Sequence, residues 1–168
     1  MKTLLLGLGN PILSDDGVGI RVAEELKSRL SEQDVTVMET SLGSLDLLDL
    51  LVKFDRAIII DAIQTEGGKA GQIHQLDPAA FNATRHTASP HDVNLATALE
   101  LGGRLGLPVP QQITILAIEA EDVTTFSEEC TPQVRRAILI CVEKVIAELC
   151  GTGTKEEIRL KSSDLIAA

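Results

Sequence analysis

Thr3-Leu4-Leu5-Leu6-Gly7-Leu8-Gly9-Asn10-Pro11-Ile12-Leu13-Ser14-Asp15-Asp16-Gly17-Val18-Gly19 opens the chain with an apolar run, a glycine corner and two carboxylates. The run Thr3–Leu8 is too short for a helix and lacks polar alternation, so it predicts a buried strand. From Gly17 to Leu30 the period changes. Val18, Val22, Ala23, Leu26 and Leu30 fall on one helical face, with Arg21, Glu24, Glu25 and Lys27 outside.

The pattern recurs downstream. Val35–Glu39 reads as a second strand, Ser44–Phe54 as a helix, and Ala57–Ile60 as a β-branched strand that ends on Asp61. Gln72–Leu76 alternates like an edge strand after the Gly67-Gly68 turn, and Asp77 to Ser89 reads as a loop. Ser89-Pro90-His91-Asp92 combines an N-cap, a proline at the first helical position and an acid three residues after the cap, so a helix is expected from there to about Leu105. Ile113–Ile118 is a further strand, and Thr131-Pro132 opens a last helix to about Leu149. Strands alternating with helices predict an α/β three-layer sandwich: a mostly parallel twisted sheet of about five strands, helices on both faces. Residues 1–150 form one domain in this reading, and 151–168 a polar tail.

Composition removes several function classes. The 168 residues carry 15 basic and 25 acidic side chains, a formal charge of −10, and no Trp or Tyr. A nucleic-acid binder needs a basic face and aromatic platforms, so no nucleic-acid partner is expected. No stretch approaches the ~20 apolar residues of a membrane span, and no membrane partner is expected. The run after Met1 is too short for a signal peptide, because Asn10, Ser14, Asp15 and Asp16 interrupt it. Cys130, Cys141 and Cys150 have no paired spacing, which reads as inert reduced thiols in a cytoplasmic protein.

Glycine after the first strand invites a dinucleotide-binding reading, but the third glycine of that fingerprint is replaced by Ile12. Asp15 and Asp16 at the helix mouth would also repel a pyrophosphate. Gly7-Leu8-Gly9-Asn10-Pro11 resembles the opening of bacterial peptidyl-tRNA hydrolases, yet the likeness ends after five residues, and the acidic charge opposes tRNA binding.

In open parallel sheets, sites form where loops leave the carboxyl ends of strands. Three such loops carry residues suited to chemistry: Asp15-Asp16, Asp61, and the segment leading to His91. Two carboxylates and an imidazole can meet there as an open divalent-metal site. Each also has a plain structural role available. Asp15 is assigned to capping the helix from Gly17, Asp61 can serve a turn, and His91 can be a surface residue at a helix start. His74 reads as a strand surface residue and His86 as a loop residue. Glu119, Glu121, Asp122, Glu128 and Glu129 form either a solvated acidic loop or a feature that holds a basic residue of a substrate.

Longer matches resemble the hydrogenase maturation endopeptidases, which process the large subunit of nickel–iron hydrogenases. They are Leu5-Leu6-Gly7-Leu8-Gly9-Asn10 through Ser14-Asp15-Asp16-Gly17-Val18-Gly19, then Ile59-Ile60-Asp61-Ala62, Ser89-Pro90-His91, and Ile118-Glu119 through Leu139. The resemblance implies that Asp16, Asp61 and His91 are the metal ligands and catalytic residues of an aspartyl-type, metal-dependent endopeptidase. It implies nickel as the metal, carried in by the precursor or replaced by another divalent ion, and a large-subunit precursor as partner of a monomeric enzyme. The metal would serve recognition or activate water with Asp16 or Asp61 as base. Where many members have Asp-Gly-Gly-Thr, this chain has Glu39-Thr40-Ser41-Leu42. A non-catalytic nickel carrier using the same ligands is the competing reading.

Overall fold

The computed structural model describes residues 1–30, 35–41, 44–83 and 95–152. A single sheet of five strands has the order β2-β1-β3-β5-β4. Its strands are β1 (Thr3–Leu8), β2 (Val35–Thr40), β3 (Arg56–Ile63), β4 (Ile73–Leu76) and β5 (Gln112–Glu119). All neighbours run parallel except β4, which pairs antiparallel with β5 at one edge. Every residue of β1 and β3 is buried, as expected of strands covered on both faces.

Side-chain alternation splits the core into two layers. Leu5, Ile58, Ile60, Leu116 and Ile118 point to the face covered by α1 (Val18–Arg29) and α5 (Pro132–Thr152), meeting Val22, Leu26, Val134, Cys141 and Val145. Leu4, Leu6, Ala57, Ile59 and Ile115 point to the other face, against Leu47 and Leu51 of α2 (Ser44–Leu51), Phe81 of α3 (Pro78–Ala83) and Leu95 of α4 (Leu95–Arg104). This is the expected α/β sandwich. Among the described residues, no helix is long and apolar enough to cross a membrane.

Two local expectations are corrected. The segment after Asp77 is not all loop: Asp77 accepts a hydrogen bond from the Ala80 amide at 2.7 Å, Pro78 takes the first helical position, and buried Phe81 anchors the turn. Also, β3 does not stop at Asp61. It continues through Ala62 and Ile63, because β5 is long enough to offer Ile118 and Glu119 as register partners. At the other end of the sheet, buried Arg56 forms a 2.6 Å ion pair with Glu148, which also accepts from the Thr114 hydroxyl at 3.0 Å.

Candidate active site

β1 lies between β2 and β3, so the chain leaves it to one side and returns on the other. That reversal opens a crevice beyond the carboxyl ends of β1 and β3, the usual ligand position in open α/β sheets. Asp16 and Asp61 both belong to this edge.

Asp16 sits in a tight 3-10 turn, Ser14–Gly17, immediately before α1, and is 4% exposed. Its Oδ2 accepts from the Asn10 amide at 2.9 Å, tying the turn to the end of β1. Gly9 makes that corner possible. Its φ of 138° lies in the left-handed region, and a Cβ there would overlap the Asp16 carbonyl oxygen. Asp61, 1% exposed, lies in β3 opposite Ala117 of β5. Ile60 is in register with Gly7, so Asp61 falls level with Leu8 and next to the corner that carries Asp16. Alternation places it on the face of Ala57, Ile59 and Ile63, toward α2 and α4. Its Oδ1 accepts from the Ala62 amide at 2.8 Å.

His91, the third expected member, lies outside the described residues, as do His86 and the Ser89-Pro90 cap. Among the described residues, no three His, Cys, Asp or Glu side chains gather as a metal site. The donor chemistry of the pair does suit a divalent ion. Carboxylate oxygens are the ligands that hard divalent cations take.

Asp15 does not cap α1. Gly17 is the N-cap of that helix, with no side-chain hydrogen bond. The Asp15 carboxylate, 0% exposed, instead accepts from the Glu121 and Asp122 amides (2.9 and 3.0 Å) and from the Thr131 amide and hydroxyl (2.7 and 2.9 Å). It thereby clamps the segment between β5 and α5 against the turn that carries Asp16. Nothing local signals this, because every donor lies at least 106 residues away. Ser14 has a positive φ of 49°, held by its amide on the Ser127 carbonyl at 2.8 Å and its hydroxyl on the Glu129 carbonyl at 3.3 Å.

The acidic stretch divides in two. Glu119 is buried, accepting from the Thr65 amide and hydroxyl at 2.6 and 2.9 Å, with His74 Nε2 at 3.1 Å. His74 is thus a partner of a buried carboxylate, where a plain strand surface residue was expected. The remaining acids are at the surface. Hydrogen bonds from Thr125, side chain first and then backbone, and from Thr124 hold the Asp122 carboxyl down at about 2. Burial, aided by the Asp15 charge, pushes the Cys130 thiol up to about 11, and burial pushes Cys141 up to about 12. Both thiols are therefore protonated at neutral pH and unsuited as nucleophiles.

A family model described as hydrogenase maturation protease matches residues 20–148. The hydrogenase 2 maturation protease of Escherichia coli is 29% identical over 163 residues, 92% of this chain and 94% of that protein. The hydrogenase expression/formation protein HupD of Bradyrhizobium diazoefficiens is 26% identical, over 99% of this chain and 89% of its own length. Among solved structures, the E. coli hydrogenase maturating endopeptidase HybD superposes with a TM-score of 0.81 at 28% identity, covering 95% of this chain and 96% of that one.

Proposed function

The chain belongs to the hydrogenase maturation protease family, and from that premise we propose that it cuts a short C-terminal extension from the large-subunit precursor of a nickel–iron hydrogenase once nickel has been inserted. The observation that carries this reading is the pair of buried carboxylates, Asp16 and Asp61, at the switch point of a sheet closely similar to that of HybD. If His91, which lies outside the described residues, joins them, the three would make an O,O,N set with positions open for ligands from a partner. Nickel belongs to the substrate in this scheme; Asp16, Asp61 and His91 would hold it, and it would supply a Lewis-acidic centre. Asp16 and Asp61 orient the precursor, and either can take the proton of the attacking water. The thiols and the serines of this edge offer no competing nucleophile with a His–Asp set among the described residues. The reading includes a cytoplasmic, monomeric enzyme.

The test is incubation with nickel-loaded precursor, followed by mass spectrometry of the large subunit. Wild type should release the extension. Asp16→Asn, Asp61→Asn and His91→Ala should each lower processing by at least about a hundredfold, the scale of losing a metal ligand or its support, with circular dichroism unchanged. Full activity in all three variants would sink the assignment. A bound but uncut precursor with wild type would identify a nickel carrier instead.

A further inference from the structure

Phe126 is anomalous in composition and in position. The sequence has three phenylalanines and no other aromatic ring except histidine. Phe81 is buried, whereas Phe126 is 81% exposed, the most exposed large apolar side chain among the described residues. Leaving such a ring in water forgoes burial that a phenylalanine gains in a core or an interface.

The surroundings hold this ring in place. Ser127 pairs with Leu13 in a parallel bridge, the Ser127 amide donating to the Ile12 carbonyl at 3.0 Å and the Ser14 amide to the Ser127 carbonyl at 2.8 Å. One register step back, Ile12 lies alongside Phe126, and it too is exposed, at 47%. The Arg21 guanidinium donates to the Pro11 carbonyl (3.3 Å) and the Glu128 carbonyl (2.9 Å), locking both loops from below. Asp122 accepts from the Thr124 and Thr125 amides at 2.9 and 3.0 Å, and Asp15 secures the segment at both ends. The apolar pair is thus pre-organised beside the turn that carries Asp16, four residues after Ile12. The segment that bears Phe126 also carries Glu121, Asp122 and Glu128, with no basic residue from Glu119 to Val134, and the nearby Arg21 guanidinium is already paired with Glu24 at 3.1 Å.

We propose that Ile12 and Phe126, the latter on the segment that carries Glu121, Asp122 and Glu128, form an apolar seat for a segment of the hydrogenase large-subunit precursor that bears an apolar side chain flanked by Lys or Arg. This deepens the functional reading above and rests on it for the identity of the partner. The choice of partner follows from position and charge. The seat lies beside the turn that carries Asp16, and the acidic segment that bears Phe126 attracts basic flanks while repelling a second copy of a chain with net charge −10.

Binding and cleavage of nickel-loaded precursor should be measured separately, the first by biolayer interferometry and the second by mass spectrometry. Phe126→Ala should weaken Kd and raise KM by about tenfold, the scale of losing one interface anchor, with kcat and the thermal midpoint preserved. Phe126→Leu should recover binding to within about threefold of wild type, since most of the apolar area returns. Raising salt from low to high should weaken wild-type binding, and Glu121→Lys with Glu128→Lys should remove most of that dependence. Wild-type binding and cleavage with an unaltered Kd in Phe126→Ala overturns the seat alone. Binding that Phe126→Ala weakens, without cleavage by wild type, overturns the protease reading and leaves the seat standing. Neither binding nor cleavage by wild type overturns both. A wild-type dimer in sedimentation that Phe126→Ala dissociates, with precursor affinity unchanged, makes this a self-association surface and overturns the proposal.

Discussion

At Asp15, whose side chain is fully buried, both carboxylate oxygens are committed to donors from Glu121, Asp122 and Thr131. Removing the acceptor leaves these donors aimed at a buried position without a partner. Asp15→Ala should therefore cost about 3 kcal/mol, at the upper end for an orphaned buried polar group, measured as a shift of the urea midpoint. The position of its neighbour Asp16 at the carboxyl edge of the sheet was legible in the sequence, because it stands in a loop after a buried strand beside a glycine corner, and so was that of Asp61, as an acid near the end of a β-branched run. The clamp made by Asp15 was not, because adjacent acids before a helix look alike and only the long-range donors tell them apart. The same holds for Glu119, which reads as one acid of a polar loop until Thr65 and His74 are brought to it.

Elements meet this site through close backbone approach. Gly7 of β1 and Gly19 of α1 face each other, and a Cβ on Gly19 would overlap the carbonyl oxygens of Leu8 and Ile60. That contact lets the first turn of α1 sit directly over β1 and β3, which fixes the height of Asp16 above the sheet. Gly19→Ala should cost about 2–3 kcal/mol, as overpacking does, and should depress processing more than this loss of stability alone explains; thermal unfolding and the precursor assay read the two effects. The periodicity of β1, α1 and β5 made these elements plain in the sequence. Short elements were less visible: α3 spans six residues, and its Asp77-Pro78 start is a valid cap signal that a six-residue run does little to reinforce. The overrun of β3 past Asp61 depends on a partner strand and has no local mark.

For the molecule as a whole, stability should depend on alkaline pH through its buried thiols. Cys130 and Cys141 are raised from 9.0 to about 11 and about 12. Between these values the unfolded chain has lost protons that the native protein still holds, so unfolding becomes easier as pH rises. The contribution is complete below pH 9 and should fade above it, seen as a midpoint that is flat to about pH 9 and then declines. Cys130→Ser with Cys141→Ala should flatten that decline. Asp122 has the opposite sign: lowered to about 2, it favours the native state above its ordinary 3.8 and loses that preference as pH falls toward 2. The two ends of the sheet also divide their tasks. The Arg56–Glu148 pair closes the amino edge, and the carboxylates gather at the carboxyl edge.

The clamp at Asp15 also sets a timetable. Its donors stand 106 to 116 residues farther along the chain, and β5, second from the β4 edge of the sheet, is the last strand in sequence order. A chain emerging from the ribosome can pair β1, β2 and β3 early, since domains begin to organise from their N-terminal part during synthesis. The turn that bears Asp16 stays unbraced until β5 and Thr131 have followed, because contacts of such long separation close last. A half-made copy thus has the turn of Asp16 without the clamp that braces it, and that corner takes its final shape only when the chain is nearly finished.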